Sequence, residues 1–354
     1  MTTKKDIESA LMRGADTLRD TIDAANYKDY VLPVMFVKYL SDSYTDAVEE
    51  LSKQYSGIRL ERQKKYLPFM VAEGCSFYDL YQQRFADNIG QLMNAAMRQI
   101  EADNNQQLAG VLSAVDYNSE NALGTREHKN AILRDLLEDF EPLDLRPSAI
   151  EVKEGQVPAD VIGDAYEYMI GQFASMAGKK AGSFYTPAAV SEIMARIVDV
   201  QPGERVYDPT CGSGSLLIKA AKKQNSKEVS IYGQEVNGSS VAMAKMNMYI
   251  HEIRDAKIGW GDTLANPVFL DADGNLLLFD AIVANMPFSK DKWASGFNPG
   301  GESSGKGKKE FKMEASLDKF HRFDWGVPPA SKGDWAFLLH MIASLSVNGR
   351  IAAV

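Results

Sequence analysis

The sequence predicts an α/β protein in two parts: a helical N-terminal domain, then a Rossmann-like, doubly wound parallel sheet. Three observations carry that reading. Residues 1–145 repeat apolar residues at helical spacing, and few stretches there alternate like strands. Beyond residue 200 short apolar runs alternate with helical ones, as strands joined by crossover helices do. Where that alternation begins, Arg205-Val206-Tyr207-Asp208-Pro209-Thr210-Cys211-Gly212-Ser213-Gly214-Ser215-Leu216-Leu217 reads as strand, small-residue turn and helix. Such a unit brings backbone N–H groups and a helix N-terminus up to a ligand.

The elements follow in order. Ile7, Leu11, Ala15 and Leu18 mark a first helix. A second covers Tyr30 to Leu40, with Pro33 expected in its first turn, where a missing N–H is tolerated. A third is read from Phe77 to Ile100 and a fourth from His128 to Phe140. The composition shifts between Glu141 and Pro158, punctuated by Pro142, Pro147, Gly155 and Pro158, and the linker is placed at 146–158. The second domain is then 159–354, opening on a helix from Ala159 to Phe173. A glycine-rich loop, Gly178 to Pro187, ends in a helix start: Thr186 is read as the cap and Pro187 as the first helical residue. Val190, Ile193, Met194, Ile197 and Val198 are read as that helix's apolar face. Strands are expected at Val206–Tyr207, Val229–Tyr232, Lys257–Trp260, Leu277–Ala284 and Arg350–Val354. Helices are expected at Leu216–Lys223, Ser239–Ile253 and Asp334–Ser346. The run Leu276 to Ala284 is apolar on both faces, as a central parallel strand covered by helices must be. The last residues, Gly349 to Val354, form a strand with nothing after it, so the chain reads as shortened at that end.

Composition bounds the function. The chain has 354 residues, 45% hydrophobic and 25% charged, which is the make-up of a globular protein. Met1-Thr2-Thr3-Lys4-Lys5-Asp6 has no apolar core, and no apolar run is long enough to span a bilayer, so neither a signal peptide nor a membrane partner is expected. Cys75 and Cys211 form neither a disulfide framework nor a zinc spacing; no metal is expected, and a cytoplasmic location is. The net charge of −9 argues against a protein that grips nucleic acid unaided, which carries a basic face.

Three acids stand at successive strand ends. Asp208, before the glycine turn, suits a cationic or amine-bearing ligand better than a pyrophosphate, which it would repel. S-adenosylmethionine (SAM) carries an ammonium and a sulfonium and no phosphate. Thr210, Gly212, Ser213, Gly214, Ser215 and Leu216 would border the same ligand, with the two glycines admitting close backbone approach. Glu235 ends the second strand, where an acid takes both hydroxyls of a ribose, and Asp262, after the third, could accept from an adenine amine. Leu217 stands where a dinucleotide fingerprint wants a third small residue, which disfavours an oxidoreductase.

The fourth strand ends in Ala284-Asn285-Met286-Pro287-Phe288-Ser289. An Asn-Pro-Pro-aromatic tetrapeptide at this place marks the amino-methylating DNA methyltransferases. With Asp208-Pro209-x-Cys211-Gly212-x-Gly214 and Phe184-Tyr185-Thr186-Pro187 before it, the order resembles the class whose SAM motifs precede the catalytic one. The stretch Leu18 to Leu32, continuing through Phe36-Val37-Lys38-Tyr39-Leu40-Ser41-Asp42, resembles the N-terminal domain of the modification subunit of type I restriction–modification systems. The resemblance covers essentially the whole chain. It implies an adenine-N6 DNA methyltransferase using SAM, with 1–145 serving partner and DNA contacts. It also implies a specificity subunit that reads the DNA, a second modification subunit and a translocating restriction nuclease subunit. Asn285 and the backbone carbonyl near Pro287 would accept the two amine hydrogens of adenine and aim its lone pair at the SAM methyl. Phe288 would stack on the extruded base. Ser183, Phe184, Tyr185, Thr186 and Pro187 would border SAM. Met286 departs from the family's proline, which restrains the residue before it more than methionine does. The alternative reading is therefore a non-catalytic or impaired assembly subunit.

Two other motifs do not carry a function. Gly300 to Gly307 matches a phosphate loop up to Lys306, but Gly307 replaces the magnesium-binding hydroxyl residue and no strand precedes it. Cys211 is read as a small turn residue rather than a nucleophile, because cytosine C5 chemistry wants a Pro-Cys step where this chain has Asn285. The polar segment Lys290 to Lys332, with Lys306, Lys308, Lys309 and Lys312, fits either a loop closing on DNA or a solvated one.

Overall fold

The computed structural model describes residues 1–178, 185–222, 228–288, 290–298 and 311–354. Ser183, Phe184 and the 300–307 motif lie outside the described residues. The chain forms two compact units, Met1–Ala181 with Lys245–Arg254, and Gly182–Ala244 with Asp255–Val354.

The first unit is helical: α1 (Lys4–Thr17), α2 (Tyr27–Ser52), α3 (Gly57–Lys64), α4 (Phe77–Gln82), α5 (Ile89–Asp103), two single turns α6 (Asn105–Leu108) and α7 (Glu120–Leu123), α8 (Arg126–Phe140) and α9 (Pro158–Ala177). Helix α1 starts at a capping box in which Thr3 and Asp6 satisfy each other's backbone N–H groups. It buries Ile7, Ala10, Leu11 and Ala15, one stripe at helical spacing. Helix α2 is buried on nearly every side from Tyr30 to Ser43.

Two expectations need correcting here. Helix α2 begins at Tyr27, so Pro33 sits in its interior and not in its first turn. The lost hydrogen bond is tolerated because the surrounding residues are buried, and packing outweighs propensity. The helix expected from Phe77 to Ile100 is two, α4 and α5. Phe77 and Leu80 are buried, but the next positions on that stripe are Arg84, Asp87 and Gln91. Continuing the helix would turn polar groups inward, so the chain breaks and restarts with Ile89, Met93, Ala96, Met97 and Ile100 buried.

The second unit is built on a five-stranded parallel sheet of order β3-β2-β1-β4-β5, with β1 (Arg205–Asp208), β2 (Ser230–Glu235), β3 (Lys257–Trp260), β4 (Phe279–Ala284) and β5 (Leu345–Ala353). Its helices are α10 (Ala188–Val198), α11 (Ser215–Lys222), the start of α12 (Gly238–Ile250) and α13 (Gly333–Ala343). Strand β4 is buried at five of its six positions, as its apolar run requires. Tyr207, Tyr232, Phe279 and Ile282 form an apolar cluster with Met341 of α13. A second cluster joins Leu264, Trp293, Phe323 and Phe337, which folds the segment after β4 back onto the loop after β3. Strand β5 starts at Leu345, where the sequence reading still had helix.

Helix α10 also differs from expectation. Pro187 is its N-cap and Thr186 lies outside it, with no side-chain cap. Its buried face is Ser191, Met194, Ala195 and Val198, while Ile193 and Ile197 are exposed. The apolar residues of this helix cover more than one face, so periodicity alone does not say which face is buried.

Candidate functional site

All four connections at the carboxyl ends of β1 to β4 border one cavity of about 260 Å³. In an open parallel sheet, that end and the reversal of strand order beside β1 are where ligands bind. The turn after β1 contributes Pro209, Thr210, Cys211, Gly212 and Ser213, and α11 contributes Ser215 and Leu216. Gly212 and Gly214 have φ of +52° and +77°, a backbone that side-chain-bearing residues rarely adopt. The sharp turn they allow brings Cys211 N–H to the Gln234 carbonyl at 3.0 Å.

Glu235 lines the cavity with its carboxylate fixed: one oxygen accepts from Gly212 N–H at 3.1 Å and the other from Asn237 N–H at 2.8 Å. Burial pushes this carboxyl up from its ordinary value, and those backbone N–H groups and the charge of Lys290 pull the other way. Asp262 lines it too: its Oδ1 accepts from Leu264 N–H at 2.9 Å and Ala265 N–H at 3.2 Å, while Oδ2 faces Lys290. The loop carrying Asp262 is held from below. Arg322 donates to the Thr263 and Leu264 carbonyls, pairs with Asp318, and donates to Nδ1 of His340, whose other ring nitrogen meets the Tyr207 hydroxyl at 3.2 Å. Burial and then the Arg322 charge keep His340 well below its ordinary pKa, so it is neutral and can accept from the guanidinium.

At the end of β4, Asn285 and Pro287 line the cavity. The Asn285 amide donates to the Thr186 hydroxyl at 3.3 Å, and the Asn285 backbone carbonyl accepts from the Thr210 hydroxyl at 3.5 Å. Thr186 therefore serves this asparagine rather than the helix behind it. The Met286 N–H donates to the Val354 carbonyl at 3.3 Å, and its side chain packs against both apolar clusters.

Of the residues singled out in the sequence, Tyr185, Thr186, Thr210, Gly212, Ser213, Ser215, Leu216, Glu235, Asp262, Asn285 and Pro287 come together on the cavity wall. Pro187, Asp208, Gly214 and Phe288 are not among its lining residues. Asp208 is buried, its carboxylate accepting from Thr210 N–H at 2.8 Å, and Phe288 is 69% exposed. Burial pushes the Cys211 thiol far above its ordinary value, and the Asp208 and Glu235 charges add to that, so it is not poised as a nucleophile. Sequence reasoning did not single out Val236, Asn237, Thr263, Lys290 and Phe337 as site residues. Val236 and Asn237 follow Glu235 and Thr263 follows Asp262, so extending each strand-end motif by one or two residues would have found them. Nothing local to Lys290 or Phe337 signals the site. Among the described residues no cluster of His, Cys, Asp and Glu could hold a metal ion, and no helix is long and apolar enough to cross a membrane.

Sheet order, glycine turn, strand-end acids and an Asn-x-Pro loop on one cavity define the class: a Rossmann-like fold of the methyltransferase kind. Comparison with known proteins makes the assignment narrower. Residues 157–354 match the model of the N-6 DNA methylase family, and residues 7–140 match the HsdM N-terminal domain. The chain belongs to the N-6 DNA methylase family. It is 29% identical to the type I restriction enzyme MjaVIII methylase subunit of Methanocaldococcus jannaschii, over 93% of this chain and 53% of that one. It is also 29% identical to the MpnII methylase subunit of Mycoplasma pneumoniae, over 98% of this chain and 67% of that one. The chain thus spans about half to two thirds of the length of these relatives. Among solved structures, the type I restriction–modification methyltransferase subunit from Streptococcus thermophilus superposes with a TM-score of 0.76 at 29% identity, covering 99% of this chain and 74% of that one. A modification subunit of a type I restriction enzyme from Vibrio vulnificus shares the fold, with a TM-score of 0.61 at 18% identity over 100% of this chain and 71% of that one.

Proposed function

We propose that this chain is the modification subunit of a type I restriction–modification complex and methylates N6 of adenine in DNA with SAM. The observation that carries the proposal is the placing of Asn285 on the same cavity wall as Glu235 and Asp262. The cavity fits SAM: two carboxylates against one ammonium favour a cationic ligand, and the Gly212 and Gly214 turn lets backbone N–H groups approach it. Glu235 would hold the ribose hydroxyls, Asp262 the adenine amine, and the turn from Thr210 to Leu216 the amino-acid end, bordered by Tyr185 and Thr186. When bound, SAM supplies an electrophilic methyl on a sulfonium.

The chain's own residues would prepare the nucleophile. An exocyclic adenine amine is poor because its lone pair is delocalised into the ring. With its Nδ2 committed to Thr186, the Asn285 side chain presents its oxygen as acceptor. That oxygen and a backbone carbonyl near Pro287 would take the two amine hydrogens and turn the lone pair towards the methyl. Phe288, exposed beside them, is free to stack on a base that has left the duplex. The partners would be a specificity subunit that reads the DNA, a second modification subunit and a translocating nuclease subunit, all in the cytoplasm.

Methyl incorporation into duplex DNA by the complex reconstituted with its specificity subunit tests the proposal. Asn285→Ala should lower it by about 10²–10³-fold, the cost of removing one positioned hydrogen-bonding group, and leave calorimetric SAM affinity unchanged. Equal turnover in the variant would remove Asn285 from the mechanism. A complex that binds SAM and never methylates would favour the assembly-only alternative.

A further inference from the structure

Lys290 is the single cationic side chain on the cavity wall among the described residues. Its backbone is anchored. The Gly333 N–H, at the start of α13, donates to the Lys290 carbonyl at 3.2 Å. A Cβ at Gly333 would lie 2.9 Å from the Lys290 Cβ, 3.0 Å from its carbonyl oxygen and 3.1 Å from the Cβ of Trp293, so only glycine permits this approach. Trp293 is itself buried in the core. The lysine stem therefore leaves a fixed base and ends with Nζ 4.0 Å from Asp262 Oδ2 and 5.9 Å from the centre of the Phe337 ring.

At 4.0 Å the ammonium and carboxylate are too far apart for a direct hydrogen bond and close enough for one ligand to bridge both. They present a donor and an acceptor side by side, with an aromatic ring of the same cavity nearby. One edge of adenine presents the complement: an amine donor next to an acceptor ring nitrogen. A ligand carboxylate or phosphate set on Nζ would instead be forced against Asp262, with Glu235 on the same wall.

Building on the SAM reading of the cavity, we propose that Lys290 determines specificity for the adenine of the methyl donor, its ammonium donating to the ring nitrogen beside the amine that Asp262 accepts. The Lys290–Asp262 pair then reads the base as a unit, and Gly333 sets its spacing.

The test is calorimetric binding to the full chain of SAM and of decarboxylated SAM, which keeps the adenine and sulfonium and lacks the carboxylate. Lys290→Met keeps the length of the stem and removes the donor. Losing a charged hydrogen bond should weaken both ligands equally, by about 10- to 100-fold, with the ligand-free melting temperature unchanged. Lys290→Arg should recover part of the loss. Weakened SAM with unaltered decarboxylated SAM would place Nζ on the carboxylate and overturn the proposal, as would no change for either ligand. Absence of SAM binding to the unmodified chain is a different failure: it removes the reading of the cavity and this inference with it.

Discussion

Asp208 lies beneath the cavity wall rather than on it. It ends β1, is buried, and accepts from Thr210 N–H within the turn that forms one wall of the cavity. Desolvation pushes its carboxyl up from 3.8 to about 7, the Glu235 charge adds to that, and the Thr210 N–H opposes it. The sign of the consequence is fixed. A carboxyl whose folded pKa is raised binds more protons when folded than when unfolded, so its contribution to stability is complete below about pH 4 and is lost as pH rises to about 7. A shift of this size corresponds to roughly 4 kcal/mol. Asp208→Asn cannot ionise and keeps an oxygen for Thr210. Urea unfolding between pH 4 and 8 should show the variant gaining on the parent chain as pH rises through that window. Parallel curves would mean that Asp208 is ionised in the fold throughout. The acid was legible as a strand-end residue, but whether its side chain meets the ligand or lies beneath the turn depends on packing that the sequence does not display.

Elements were legible where a local pattern and a tertiary need coincide. The glycine turn, the apolar run of β4 and the strand-end acids each announce themselves within a few residues, because backbone conformation and two-sided burial constrain residue type locally. The interior Pro33 and the buried face of α10 did not, because each is decided by packing against neighbours distant in sequence. The break between α4 and α5 is written locally, in Arg84, Asp87 and Gln91, but the apolar residues on either side mask it. The tie between Thr186 and Asn285 spans ninety-nine positions and has no local mark. Met286 belongs to the same class. Its departure from the family's proline reads as a loosened loop, but the structure gives its N–H to the Val354 carbonyl at 3.3 Å, the next rung beyond the Val354 N–H to Ala284 carbonyl bond at 3.0 Å. The residue thus continues the β4–β5 ladder into the loop that carries Asn285 and Pro287, a restraint proline cannot supply. Met286→Pro should lose that bond and the side-chain packing, costing about 1–3 kcal/mol, whereas Met286→Leu should cost less. Thermal melts of the two variants check this. A proline variant as stable as the parent would show that the rung contributes nothing.

At the scale of the whole chain, the proposed function requires contact with DNA. Its compact units divide near residue 181, and the helix from Pro158 to Ala177 packs with the N-terminal helices, whereas the compositional linker lies earlier. Periodicity marks where a helix is and not which unit buries it. Charge, by contrast, is a property of the chain as a whole and can be read directly. With 39 basic and 48 acidic residues the net charge is −9, so the long-range field repels a polyanion. If a separate subunit reads the sequence, this chain needs only enough contact to receive an extruded base. Alone, it should bind duplex DNA no more tightly than the non-specific range, with a dissociation constant of about 10⁻⁵ M or weaker at physiological salt. Its salt dependence should be shallow, because few phosphates are neutralised. Fluorescence anisotropy with a labelled duplex, over a salt series and with SAM present, measures both quantities. Nanomolar binding by the isolated chain, or a steep salt slope, would reveal a basic DNA-gripping face and remove the need for a reading partner.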